Sequence, residues 1–356
     1  MERDLASISD LDKEAMESAK AYTDKLAAPP GSLGKLYAIG HQFAGITGNV
    51  RGNKVEKKRV IVLCADNGVV EEGVSSAPKS VTVSQAINMT RRLTGMSSLA
   101  KHFGCDVDVV DMGIDADYNC PQILDYRIRK GTGNIAKGPA MTKEEALTAI
   151  GTGILLAKRA KKDQMDIIGV GEMGIGNTST SSAVLSALTG CSAEEVTGFG
   201  GGLTPDAFEK KKRVIEQAVR INAPDKNDVL DVIAKVGGLD IAAMCGVFLG
   251  AAMERLPVVI DGFISIVAAL CAYRLSPLAK GYMIPSHVSV ERGYLIAQKE
   301  IGLHPFLDLD MRLGEGSGCP MAFQVVEASC AIMNEMASFE EAAINDDYLT
   351  EVRKVI

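Results

Sequence analysis

The sequence predicts an α/β protein, with a doubly wound, mostly parallel sheet and a small helical lobe made from the N- and C-terminal segments. Three observations carry that expectation. Short aliphatic runs recur along the chain, each followed by glycine and then by a helix-forming stretch, which is the pattern of βαβ units. The 36 glycines follow no triplet period and aromatic residues make up only 5%, with no tryptophan, so tight turns between buried aliphatic elements are expected. Hydrophobic residues are 47% of 356, enough for the core of one large or two ordinary domains.

From the N-terminus, Leu11, Ala15, Ala19, Tyr22 and Leu26 recur at helical spacing until the breaker Ala28-Pro29-Pro30-Gly31. Residues 1–55 read as a charged, amphipathic helical segment. Strands are expected at 59–64, 107–111, 166–170, 258–261, 282–284 and 306–311. Among the intervening helices, 142–160 has Thr142 and Glu145 at capping-box spacing and a stripe of Leu147, Ile150 and Ile154. No internal repeat, low-complexity tract or long linker interrupts the pattern. The expected division is therefore a small lobe from 1–55 with a C-terminal helix at 335–356, packed on an α/β catalytic domain at 56–334.

Composition removes several classes of function. The formal net charge is −7 and no strongly basic block occurs, so nucleic acid is not the expected partner. The most apolar stretches, 241–253 and 258–272, are broken by Glu254, Arg255, Asp261 and glycines and fall short of the roughly 20 residues a spanning helix needs. They read as core, and no membrane partner is expected. The eight cysteines (Cys64, Cys105, Cys120, Cys191, Cys245, Cys271, Cys319 and Cys330) are scattered without a C-x-x-C pair, which reads as buried reduced thiols and not as a zinc site. The N-terminus Met1-Glu2-Arg3-Asp4 begins acidic with no hydrophobic stretch, so no secretory signal and a cytoplasmic location are expected.

In doubly wound folds ligands sit at the carboxyl ends of the strands, so the informative residues are those at strand-to-helix loops. The run Gly169-Val170-Gly171-Glu172-Met173-Gly174-Ile175-Gly176-Asn177-Thr178 follows a strand and opens a helix. Its glycines permit tight turns, and N–H groups and hydroxyls at a helix start suit a phosphate. The G-x-G-x-x-G spacing also admits a dinucleotide site and an NAD-dependent oxidoreductase. Glu172 argues against that reading, because a carboxylate in the loop repels a pyrophosphate. A second run, Leu313-Gly314-Glu315-Gly316-Ser317-Gly318, delivers one carboxylate between glycines at a strand end. Partial shielding by apolar neighbours raises the pKa of such a group, which suits a general base near neutrality. Asp308, Asp310 and Arg312 fall on one strand face and read as a structural ion pair. Ala65-Asp66-Asn67-Gly68 ends the first strand, followed by the loop 72–78 with Ala77 and a helix carrying Gln85, a set that shapes a small-molecule pocket. Lys211 lies in a Lys210–Arg213 charge run, either a solvated helix face or a phosphate counter-charge. His287 reads as an acid or base, or more simply as hydrogen-bonded structure.

Together these motifs resemble the nicotinate-nucleotide:dimethylbenzimidazole phosphoribosyltransferase family, over nearly the whole chain. The matches run in order through Pro29-Pro30-Gly31-Ser32-Leu33-Gly34, Asp66 and Gly68 with Glu72-Gly73-Val74, Gly171-Glu172-Met173-Gly174 with Asn177-Thr178, Lys235-Val236-Gly237-Gly238, Asp261-Gly262-Phe263 and Arg312 to Gly318. The resemblance implies transfer of 5-phosphoribosyl from nicotinate mononucleotide to an aromatic acceptor, by a single displacement that inverts the anomeric carbon, in cobamide lower-ligand activation. It implies no metal and no cofactor, because the leaving group is already a pyridinium. It places the base on Glu315 and electrostatic support at the ribose on Glu172. Gly174, Gly176, Asn177, Thr178, Gly200, Lys211 and Ser289 match positions that hold phosphate and ribose, while Ala77, Gln85, Met173 and Leu313 line the acceptor pocket. It also implies a homodimer, or a heterodimer with a paralogous chain.

The chain departs from the family around the acceptor. Asn67 stands where many members have histidine, Ala77 where some have serine, and Met173 where leucine is common. One branch of the family uses phenol or p-cresol as a heteromer of two related chains, and these positions leave the choice of acceptor open. A catalytically quiet subunit that stabilises an active paralogue is a further alternative, against which the retained Glu315, Glu172 and phosphate loop argue.

Overall fold

The computed structural model describes residues 5–350. Two N-terminal helices, α1 (Lys13–Thr23) and α2 (Lys35–Thr47), precede the first strand. Asp12 caps α1 by accepting the N–H of Ala15. Residues 24–34, around the two prolines, interrupt the helical segment where the breaker predicts.

Six strands follow: β1 (Lys58–Ala65), β2 (Asp106–Gly113), β3 (Ile123–Asp125), β4 (Ile167–Met173), β5 (Val258–Ile260) and β6 (Met283–Pro285). All pairings are parallel, in the order β3-β2-β1-β4-β5-β6. The chain starts at β1 in the middle, winds outward to β3, then returns to β4 and winds the other way, so the switch point lies between β1 and β4. There the loops diverge to opposite faces and open a crevice at the strand ends.

Alternation along the strands feeds two separate cores. Val60, Val62 and Cys64 of β1 face one side with Met89, Met96 and Phe323, whereas Ile61 and Leu63 face the other with Val170, Val247 and Leu249. The first face is covered by α3 (Ser80–Thr90), α4 (Gly95–His102) and a long helix near the C-terminus, Gly318–Glu335. The second is covered by α9 (Leu239–Met253) and α10 (Phe263–Leu275), with α5 (Lys143–Lys162) packed on α9 and α6 (Asn177–Thr189), α7 (Pro205–Asn222) and α8 (Val229–Val236) outside. The last two helices are α11 (Arg292–Ile301) and α12, the Gly318–Glu335 helix already placed. Helices α5 and α9 cross in unusually close contact. A side chain at Gly153 or Gly246 would collide with the carbonyls of Ala243 and Ile150, so the crossing needs both glycines. The predicted capping box is present, Thr142 Oγ1 accepting from Glu145 N at 3.1 Å and Glu145 Oε2 from Thr142 N at 2.8 Å. Of the predicted stripe, Ile150 is buried and Leu147 is exposed.

Four sequence expectations need correction. The strand expected at 306–311 is not a sheet strand: Leu307 makes one bridge to His287, and Asp310 takes a left-handed backbone (φ 52°) that ends the extended run. Asp308, Asp310 and Arg312 are exposed, and no ion pair among the described residues joins them. Strand β4 runs on to Met173, so Glu172 is a strand residue and not a loop residue. Helix α12 ends at Glu335; residues 336–350 are turns with a short 3-10 segment at Asp347–Leu349, and 351–356 lie outside the described residues. The short β3 was not expected, because three residues give no aliphatic run to detect.

The N-terminal helices are tied to the body by polar contacts. Arg255 donates to the carbonyls of Ile46 (2.9 Å) and Gly45 (2.7 Å), and Gln42 Nε2 to those of Gly281 and Met283. Leu26 pairs with Ser338 across an isolated bridge. Among the described residues no helix is long and apolar enough to cross a membrane.

Candidate active site

A cleft of about 270 Å³ opens at the carboxyl ends of β1, β4 and β5, at the switch point. Glu172, Met173, Gly174, Gly176, Asn177 and Thr178 reach it from β4 and the start of α6. Ala77 and Gln85 enter from the loop before α3 and from α3 itself, Gly200 from a glycine loop before α7, Ser289 from the segment after β6, and Leu313 and Glu315 from the turn before α12. Every catalytic, nucleotide and acceptor residue that the resemblance implies lines this cleft except Lys211, whereas Asp66 and Asn67, expected to shape it, are buried at the end of β1 and do not line it. The Lys211 side chain, 1% exposed, lies just behind the cleft, its Nζ donating to Thr178 Oγ1 (2.9 Å) and Gly198 O (3.2 Å).

Glu315 is held in an uncommon conformation. Gly314, Glu315 and Gly316 have φ of 79°, 63° and 87°, so a glutamate sits in the left-handed region between two glycines that adopt it freely. The turn lies directly on β4, where any side chain at Gly171 would collide with the Glu315 carbonyl. Glu315 is 5% exposed, with Oε1 receiving Gln85 Nε2 and Oε2 the Met96 N–H, both at 3.4 Å. Loss of water raises its pKa, partly offset by hydrogen bonds from Thr94 and Met96.

Glu172 lies beneath it. Its Oε1 accepts the Glu315 backbone N–H at 3.2 Å and its Oε2 the Asn177 amide. Burial pushes its carboxyl up to about 8, opposed by the Asn177 hydrogen bond and reinforced by Asp240. Asp261 anchors the same turn, its two oxygens accepting the N–H groups of Gly316 (3.0 Å) and Gly318 (2.7 Å). His287 is buried, with Nδ1 2.9 Å from Ser286 Oγ. Loss of hydration lowers Lys211 to about 8, with the Glu291 carboxylate acting the other way.

Two participants were not legible beforehand. Asp240 is wholly buried at the start of α9 and receives Asn177 Nδ2 at 3.1 Å. A lone carboxylate within the apolar run 239–253 was its only signal. Glu291 accepts the Gly200 N–H at 2.9 Å, and its other oxygen is buried without a hydrogen bond. Nothing in the local pattern marks it. Among the described residues no group of three or more His, Cys, Asp or Glu is arranged to hold a metal ion.

The strand order is that of dinucleotide-binding folds, but the glycine-rich run lies on β4 and not on β1. Gly169 and Gly171 make room for α12 and the Glu315 turn, not for a pyrophosphate. A cleft at the strand ends lined by two buried carboxylates is the site of an α/β enzyme, and a family described as phosphoribosyltransferase matches residues 8–344. The chain belongs to the family of nicotinate-nucleotide–dimethylbenzimidazole phosphoribosyltransferases. The protein of that name from Clostridium perfringens (strain 13 / Type A) is 53% identical over 349 residues, covering 98% of this chain and 96% of the relative. Its namesake from Geobacter sp. (strain M21) is 48% identical over 97% of this chain and 99% of its own. The crystal structure of CobT from Thermus thermophilus superposes with a TM-score of 0.89 at 34% identity, covering 94% of this chain and 99% of that one.

Proposed function

We propose that this chain transfers 5-phosphoribosyl from nicotinate mononucleotide to 5,6-dimethylbenzimidazole or a related flat aromatic, releasing nicotinate and the α-riboside phosphate for cobamide synthesis. The observation that carries the reading is the pair of buried carboxylates at the switch point, with Glu315 facing the cleft from the turn that Glu172 holds. The bond from the anomeric carbon to the pyridinium nitrogen breaks, and its electron pair neutralises the ring. The acceptor nitrogen bonds the same carbon from the opposite face, and its N–H proton passes to Glu315. Glu172 stands near the positive charge that develops on the ribose. Thr178, Gly200 and Ser289 hold the phosphate at the start of α6, where the positive end of the helix dipole favours an anion, with Lys211 as the counter-charge behind Thr178. Asn177, Gly174 and Gly176 shape the ribose side; Ala77, Gln85, Met173 and Leu313 shape the acceptor wall.

On this reading residues 1–55 and 335–356 form the small lobe beside a catalytic domain at 56–334. The enzyme acts in the cytoplasm, which its eight free cysteines fit, and as a dimer of two copies or with a paralogous chain. Pure protein incubated with nicotinate mononucleotide and 5,6-dimethylbenzimidazole should release nicotinate and riboside phosphate in equal amounts. Absence of both products, with nucleotide and acceptor intact, would overturn the reading.

A further inference from the structure

We propose that Asp240, which does not touch the cleft, is a positioning residue that sets the orientation and charge of Glu172 through the Asn177 amide. The inference rests on the proposed role of Glu172 in transfer. The Asn177 amide nitrogen has two hydrogens. One is donated to Glu172 Oε2 and the other to Asp240 Oδ2 at 3.1 Å. With both engaged, none is left for a phosphate. The opposite placement of the amide would set its oxygen against two carboxylates, so the two acceptors together fix which way Asn177 points. Asp240 is held in turn by the N–H of Ile241 on Oδ1 at 2.9 Å. On the far side, Glu172 Oε1 accepts the Glu315 N–H. A continuous set of hydrogen bonds therefore runs from the start of α9, through the start of α6, to the turn that carries Glu315.

Asp240 forms no ion pair among the described residues, and nothing but the local backbone and this amide satisfies it. A wholly buried carboxylate without an ion partner costs the fold stability, so the group is assigned a role other than stabilisation. Its charge also acts directly. Glu172 is faced by Asp240 from α9, Asp261 from the end of β5 and Glu315 from the turn before α12, with the Cys64 thiol on β1. Asp240 itself is faced by Asp66 from the end of β1, and His287 stands beyond Asp261. No lysine or arginine lies among these groups, so the Asp240 charge favours the protonated form of Glu172.

The test is a double-substitution cycle on the full-length enzyme, with Asp240→Asn, Asn177→Ala and the combination. Asp240→Asn should lower kcat about 10- to 100-fold, as expected when a reacting group is displaced by a fraction of an ångström to one ångström. The KM for nicotinate mononucleotide should stay within about threefold, and the midpoint of the kcat–pH profile should move to lower pH. The combined variant should lose no more pH-independent kcat than Asn177→Ala alone, because the positioning acts through one amide, while its pH midpoint should still lie below that of Asn177→Ala because the charge acts directly. Multiplicative losses, or an unmoved pH midpoint, would overturn the inference. If Asp240→Asn fails to fold, Asp240→Glu takes its place: the charge is kept but displaced, so kcat should fall while the pH midpoint stays at the wild-type value. Wild-type enzyme that releases no nicotinate would overturn the proposed function alone. The coupling between positions 177 and 240 would then be read from urea unfolding of the same proteins, where additive effects would sink it.

Discussion

The backbone N–H of Glu315 donates to the carboxylate of Glu172 at 3.2 Å, joining two acids that lie 143 residues apart in the chain. The contact lets one carboxylate orient the turn that presents the other. Glycine at 314 and 316 lets that turn adopt a left-handed backbone, and Glu315 is carried into the same region between them.

Replacing Glu315 by glutamine should leave donor binding and the fold nearly intact while lowering turnover about 10²- to 10⁴-fold, the usual contribution of a positioned general base. The amide cannot accept from both Gln85 and the Met96 N–H, so a stability loss of about 1 kcal/mol is expected. Steady-state kinetics beside urea unfolding check this. Near-wild-type turnover, or parallel loss of stability and activity, would remove Glu315 from its role.

Lys211→Met should raise the KM for nicotinate mononucleotide about 10- to 100-fold, the range of a hydrogen bond to a charged group, without a matching change in kcat. Nicotinate riboside, which lacks the phosphate, should bind the variant and the wild type alike. Equal weakening of nucleotide and nucleoside would place Lys211 in the scaffold of the loop and not in the phosphate seat.

The buried acids also give the fold a pH dependence. The carboxyls of Glu172 and Asp240, raised to about 8 and about 6, bind more protons in the folded than in the unfolded chain. Their stabilising contribution is complete below their unfolded pKa values near 4 and is lost as pH rises through 6 and then 8. Lys211 runs the other way: held down to about 8, it favours folding above its unfolded pKa, and that contribution is lost as pH falls through 8. Ligand-free protein should therefore melt at a lower temperature at pH 8 than at pH 6, with a markedly smaller difference in Glu172→Gln. Calorimetric Tm values across that window decide the matter, and an unchanged slope in the variant would contradict the burial argument.

At the acceptor wall, Ala77 has no hydroxyl to donate and Met173 offers a flexible thioether, so rings of different shape should fit. Discrimination by an apolar wall is limited to about 1–3 kcal/mol per methylene-sized change. Both 5,6-dimethylbenzimidazole and unsubstituted benzimidazole should react, with phenol slower in the isolated chain. Competition assays in which phenol is consumed first would place the chain in the phenol-using branch of its family.

Local sequence determined a good deal of this protein. Aliphatic runs placed β1, β2, β4, β5 and β6 to within a few residues, because a strand buried on both faces must be apolar throughout. Glycines around a single acid marked Glu315 and Glu172, since unusual backbone and close approach require glycine at a readable position. What patterning could not decide was everything that depends on which strands become neighbours. The run at 306–311 alternates like a strand, yet Leu309 is 49% exposed because β6 finds no further strand to pair with there. Asp240 and Glu291 look like ordinary helix-start residues until packing brings Asn177 and Gly200 against them. Periodicity reports how a segment meets the core, while hydrogen bonds between segments far apart in the chain exist only after the sheet order has set their distances. The Asn177–Asp240 and Glu172–Glu315 links of the network are therefore products of tertiary structure alone.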